Sequence, residues 1–169
     1  MILVGFMGAG KTTVGRMLAG NLGWQFTDLD DLVVAHEGRA IADIFRASGE
    51  AFFRRVETEC LREILRGRPS RTVIALGGGA IVQPENAALV RDSKVPVVFL
   101  DAPSEVLMAR CAPEPGTRPL FADENQFRQL YESRRKSYMS AGVRIDTASL
   151  SPAAVAEEIV RRLDLRAHN

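Results

Sequence analysis

Eight consecutive residues, Gly5-Phe6-Met7-Gly8-Ala9-Gly10-Lys11-Thr12, have the G-x-x-x-x-G-K-[ST] spacing of a phosphate-binding loop. Each residue type has a physical task. Glycines let successive backbone N–H groups turn inward around phosphate oxygens. A helix opening at the end of the loop adds the partial positive charge of its N-terminus. The lysine contacts the β- and γ-phosphates, and the threonine hydroxyl is a Mg²⁺ ligand. Gly8, Ala9, Gly10, Lys11, Thr12 and Thr13 are therefore the candidate nucleotide-binding residues. The competing reading is a chance glycine turn before a helix, and the unbroken match leaves it little room.

Such loops usually work with a second acidic group on the metal. Asp28 and Asp30 are read as closing a strand with both side chains on one side, so that one serves metal and the other substrate. Helix capping is the alternative for this pair. Asp101 is a further acidic candidate behind an apolar run, but Ala102 and Pro103 follow it and favour a cap. Arg54 and Glu57 are three apart, the spacing of an ion pair on a helix surface. Arginines there would also offer flat, bidentate forks to a carboxylate.

These residues need a scaffold, and the hydrophobic pattern supplies one. Short apolar runs at Ile2–Val4, Trp24–Leu29, Val73–Leu76, Val97–Leu100 and Val143–Ile145 read as strands. Helical spacing fills Thr12–Leu22, Asp30–His36, Ile41–Ala47, Glu50–Arg66, Pro84–Arg91, Pro103–Cys111, Glu124–Met139 and a last helix from Pro152 to Leu163, capped by Ser151. Gly49 separates the third and fourth of these. Strand and helix alternate throughout, which predicts an α/β fold with a parallel sheet covered on both faces, in one domain over residues 1–169. The stretch from Ala112 to Asp123 has no period and holds three prolines and a glycine. It is the candidate lid.

Composition excludes other classes. Of 169 residues, 46% are hydrophobic and 25% charged, and the net charge is +1. No basic surface for nucleic acid or membrane is implied. Cys60 and Cys111 have no metal or redox spacing, and no apolar run reaches the roughly 20 residues of a membrane span. A cytoplasmic location is expected.

Taken together, several motifs resemble the shikimate kinases. They are the glycine loop, Asp28-Leu29-Asp30, Arg54-Arg55-Val56-Glu57 ahead of Val73-Ile74-Ala75-Leu76-Gly77-Gly78-Gly79, Thr117-Arg118-Pro119-Leu120, Arg134 to Tyr138, and Val143-Arg144-Ile145-Asp146-Thr147. The resemblance implies a P-loop NTPase three-layer fold like that of the nucleoside monophosphate kinases, with strand order 2-3-1-4-5 and a lid near 112–123. It implies transfer of the γ-phosphoryl group of MgATP to the 3-hydroxyl of shikimate, in aromatic amino-acid biosynthesis, with Mg²⁺ and no macromolecular partner, by a monomer. It implies a Mg²⁺ site at Thr12 and Asp28, and catalytic roles for Lys11, Asp30 and Arg118. Shikimate falls to Asp30, Arg54, Arg134 and the backbone of Gly77, Gly78 and Gly79. Arg110 and Arg118 fall on the nucleotide, with Arg110 over the adenine. Ile41, Phe45 and Phe53 match an acceptor-pocket wall, although helical core is the plainer reading of each.

Two positions depart from the family pattern. Val34 stands where a glutamate is frequent. Arg134-Arg135-Lys136-Ser137-Tyr138 lacks the proline of Arg-x-Pro-x-Tyr, which leaves Arg134 and Arg135 as alternatives, one of them facing solvent. Rival readings are a kinase of another small polyol acid such as gluconate, and a nucleotide-binding module without catalysis. The Arg-x-x-Glu helix with its glycine triplet opposes the first. The acids at Asp28 and Asp30 oppose the second.

Overall fold

The computed structural model describes residues 1–111 and 123–165. Arg118 and nearly all of the candidate lid lie outside the described residues. The elements are β1 (Ile2–Val4), α1 (Lys11–Leu22), β2 (Gln25–Asp28), α2 (Leu29–Glu37), α3 (Ile41–Arg66), β3 (Thr72–Ala75), a 3₁₀ turn (Ala80–Val82), α4 (Pro84–Ser93), β4 (Val97–Asp101), α5 (Ser104–Cys111), α6 (Glu124–Ala141), β5 (Val143–Asp146) and α7 (Pro152–Arg162).

The five strands form one parallel sheet in the order β2-β3-β1-β4-β5, as expected. The middle strands are apolar without alternation because helices cover both faces. Ile2, Leu3, Val73, Ile74, Val98 and Leu100 expose no surface. Each such side chain contributes about 1.5–3 kcal/mol by leaving water. The loops after β1, β2 and β3 emerge at the same sheet end, beside the point where the chain crosses from one side of β1 to the other. Open α/β sheets bind ligands there.

The sequence boundaries hold to within a few residues, with three exceptions that matter. β2 stops at Asp28 rather than running through Asp30, because Asp28 caps α2 by accepting the Asp30 N–H at 3.1 Å. Asp30 therefore stands in the first turn of a helix and not on a strand. Asp101 is drawn into a buried network instead of capping α5. The 3₁₀ turn after the glycine triplet carries no sequence period. Ser151 caps α7 as predicted, accepting from the Ala154 N–H.

The long α3 is two helices meeting at Gly49, whose φ of 80° and ψ of 172° are not helical. The first half carries Ile44 and Phe45 and the second carries Phe53, Arg54 and Glu57. The rings of Phe45 and Phe53 pack with centroids 4.8 Å apart, and both belong to the core or its margin, as does Ile41.

Candidate active site

The loop from Gly5 to Gly10 joins the central strand to α1. Gly8 and Gly10 take φ of 78° and 86°, and a Cβ on Gly8 would fall 2.6 Å from the Leu107 carbonyl oxygen. Only glycine satisfies both demands. No side chain caps α1 and its first turn has no acid, so its N–H groups are left for an anion. The Lys11 Nζ is folded into the loop, donating to the carbonyls of Gly5 at 2.9 Å and Phe6 at 3.1 Å. Gly8 through Thr13 thus form one continuous cradle and helix start.

Beside it, the Thr12 hydroxyl donates to Asp28 Oδ2 at 2.8 Å, while Asp28 Oδ1 holds the α2 cap. Asp28 both caps and meets Thr12, so the two sequence readings are compatible. A hydroxyl and one carboxylate held together are hard oxygen donors that fit Mg²⁺, which takes few protein ligands and fills its shell with phosphate and water.

The acceptor side is built around the glycine triplet. A Cβ on Gly77 would lie 2.7 Å from Asp30 Oδ1 and 2.9 Å from Glu57 Oε1. One on Gly79 would lie 2.5 Å from Arg54 Nη2, and one on Gly78 would lie 3.9 Å from Arg134 Nη1. Two carboxylates and two guanidiniums from three helices therefore meet this loop, and a side chain at Gly77 or Gly79 would push them aside. Burial, with help from the Asp28 charge, raises the Asp30 pKa above the ordinary 3.8, against the pull of Lys11 and Arg54. Such a carboxyl is suited to accepting a proton.

Arg54 donates through Nη1 to Glu57 Oε2 at 2.8 Å, and through Nε and Nη2 to Glu50 Oε1 at 3.3 and 3.2 Å. This is no surface pair, since Glu57 has no exposed side-chain area. Burial raises the Glu57 pKa, with Arg54 opposing. Glu57 Oε1 is buried with no partner among the described residues. An arginine has five N–H groups; the bonds to Glu50 and Glu57 use three, which leaves 5 − 3 = 2.

The two adjacent arginines on α6 separate cleanly. Arg134 sits over the Phe6 ring, 5.8 Å from its centroid, and reaches the glycine triplet. Arg135 turns away, donating to Tyr131 Oη and to Asp101 Oδ2, each at 3.1 Å. Neither simply faces solvent, contrary to the sequence expectation. Asp101, 2% exposed, also accepts from Tyr131 Oη at 3.0 Å and Arg144 Nε at 2.7 Å. It ties β4 to α6 and β5. Arg110 is held by Thr147, donating to its hydroxyl at 3.1 Å and its carbonyl at 2.6 Å. Sequence reasoning assigned no task to Thr147 or Tyr138, although both stand inside motifs it singled out.

The family model described as shikimate kinase matches residues 7–164. A shikimate kinase of Gloeobacter violaceus is 43% identical, over 98% of this chain and 93% of its own length. A shikimate kinase from Acinetobacter baumannii, solved in complex with shikimate, superposes with a TM-score of 0.89 at 36% identity, covering 96% of this chain and 90% of that one. The shikimate kinase from Aquifex aeolicus gives a TM-score of 0.84 at 35% identity, covering 96% and 95%.

Proposed function

The chain belongs to the shikimate kinase family, and on that premise we propose how its own residues divide the ATP-dependent transfer of a phosphoryl group to the 3-hydroxyl of shikimate. The observation that carries the assignment is the convergence of Asp30, Arg54, Glu57 and Arg134 on Gly77–Gly79.

Gly8 to Thr13 bind the triphosphate through backbone N–H groups and the α1 N-terminus. Lys11 exchanges its two loop carbonyls for phosphate oxygens and neutralises charge on the transferring group. Thr12 and Asp28 hold Mg²⁺, which when bound offsets charge on the phosphate oxygens. Arg54 and Arg134 take the shikimate carboxylate between them, with Glu57 and Glu50 fixing the Arg54 plane. Asp30 faces the hydroxyls. The 3-hydroxyl oxygen forms a bond to the γ-phosphorus, the bond to the β-bridging oxygen breaks, ADP leaves, and the hydroxyl proton passes to Asp30. Arg110 packs against the adenine, steadied by Thr147. Arg118 is assigned to the transferring phosphate from its motif alone. We propose a single-domain monomer acting in the cytoplasm, as the family resemblance implies. Among the described residues no helix is long and apolar enough to cross a membrane.

ADP release with shikimate, with gluconate and with no acceptor tests the reading. Turnover with shikimate alone, and a product phosphorylated at the 3-oxygen by ³¹P NMR, is the expected result. Faster turnover with gluconate would reassign the acceptor, and none with either would leave a binding module.

A further inference from the structure

Two adjacent glycines form a peptide that little restrains. Gly78 and Gly79 have no side chains to fix the orientation of the peptide unit between them, and glycine tolerates either face. In this protein that unit is nonetheless held. The Gly78 carbonyl accepts a hydrogen bond from the Tyr138 hydroxyl.

Tyr138 is itself immobilised. It is fully buried, and its ring stacks on Phe99 of β4 with centroids 5.3 Å apart and planes 27° apart. Arg134 lies alongside the same hydroxyl and favours its ionised form, while burial, the largest effect, pushes the tyrosine pKa well above its usual value. The hydroxyl therefore stays protonated and remains a donor.

The consequence follows from peptide geometry. No peptide here is cis, and in a planar trans unit the C=O and N–H point in opposite directions. The carbonyl of Gly78 and the N–H of Gly79 belong to one unit. With the carbonyl drawn toward α6, the Gly79 N–H is turned away from α6. That N–H donates to no backbone carbonyl among the described residues, although Gly79 is buried. Buried backbone donors are seldom left unpaired, which marks this one as reserved for a ligand oxygen.

We infer that Tyr138 is a positioning residue for the acceptor: its hydroxyl sets the Gly78–Gly79 peptide so that the Gly79 N–H faces the acceptor pocket, and it ties that setting to Arg134. The inference rests on the acceptor assignment above, since the oxygen received by Gly79 would be one of shikimate's.

Tyr138→Phe keeps the ring and its stacking and removes only the hydroxyl. With ATP saturating, the KM for shikimate should rise roughly five- to tenfold, the equivalent of about 1–1.4 kcal/mol. The KM for ATP should stay within twofold and kcat should change less than the shikimate KM. Glycine-selective ¹⁵N labelling gives a second, ligand-free readout, in which the Gly79 amide resonance shifts or broadens in the variant. A shikimate KM within twofold of wild type, a parallel rise in both KM values, or an unchanged Gly79 resonance would overturn the inference and leave Tyr138 as packing. Wild-type protein that fails to phosphorylate shikimate would overturn the acceptor assignment instead, and the ligand-free Gly79 resonance would still decide whether Tyr138 sets the peptide.

Discussion

Replacing Arg54 by lysine keeps its charge and removes its plane. In the native protein the guanidinium bridges Glu50, whose side chain is 64% exposed, and Glu57, which is fully buried. The Glu50 arm lies near solvent and is worth only about 0–1 kcal/mol. Lysine can still reach one of the two glutamates, so Glu57 is not left as an uncompensated buried charge. Stability should then fall by about 1 kcal/mol, or roughly 2–4 °C in Tm for a chain of this size. Binding is another matter. On the proposed assignment the two N–H groups left over after Glu50 and Glu57 are served form the fork for the shikimate carboxylate, and an ammonium has no equivalent. A hydrogen bond to a charged group contributes about 1.5–3 kcal/mol. At about 1.4 kcal/mol per factor of ten, kcat/KM for shikimate should drop roughly ten- to hundredfold. The assay is ADP release across a range of shikimate concentrations at saturating ATP, with nucleotide affinity measured separately and expected to hold. Wild-type kcat/KM accompanied only by the small loss of Tm would refute the reasoning and return Arg54 to the role of an ion-pair partner.

Four further outcomes are expected. Lys11→Ala should lower turnover on the order of 10³-fold, with Tm only slightly lower because two hydrogen bonds to the Gly5 and Phe6 carbonyls are lost; substantial remaining turnover would dismiss the P-loop role. Gly79→Ala has backbone angles of −102° and −9° that alanine accepts, but its new methyl would fall 2.5 Å from Arg54 Nη2. The variant should fold, displace the guanidinium and raise the shikimate KM at least about tenfold, which steady-state kinetics and circular dichroism check together. Asp30→Asn should turn over poorly yet melt higher than wild type at pH 7 in metal-free buffer. Burial and Asp28 raise the native Asp30 pKa above 3.8, so the native state binds this proton more tightly than the unfolded chain does. Stability from this group is therefore lost as pH rises through the raised value; the gain should vanish in acid, and a lower Tm at pH 7 would contradict it. Asp101→Ala should cost about 1–3 kcal/mol, because the buried Tyr131 hydroxyl loses its carboxylate acceptor while Arg135 and Arg144, 37% and 45% exposed, are left facing water; chemical denaturation showing no loss would contradict it.

What could be read from sequence was what neighbours in the chain determine. The glycine loop carries its whole geometry in consecutive residues, and the strands announce themselves because both sheet faces are covered. Asp30 was misplaced because alternation was carried through Asp28, where the capping preference of an aspartate ends the strand. Asp101 was read against Ala102 and Pro103, its neighbours in sequence, yet its partners Tyr131, Arg135 and Arg144 are 30, 34 and 43 residues away. Adjacent residues on a helix differ by about 100° in direction, so Arg134 and Arg135 could be told apart only once Phe6 and Asp101 had been placed on either side of α6. Tyr138 escaped for a related reason, as a hydroxyl aimed at a backbone carbonyl leaves no pattern of residue types.

The break at Gly49 divides the long α3 into two segments that meet again through the rings of Phe45 and Phe53. A Cβ there would meet nothing within 4 Å, so it is the positive φ and not crowding that calls for glycine. The segment before the break bears Ile41, Ile44 and Phe45, and the segment after it bears Phe53, Arg54 and Glu57. A new angle at this one residue would move Phe45 against Phe53, whose ring lies 5.1 Å from the Arg54 guanidinium. On the acceptor assignment proposed above, a substitution before residue 49 would reach the carboxylate grip through this one pair of rings, so the hinge couples the ring size accepted to the charge that is read.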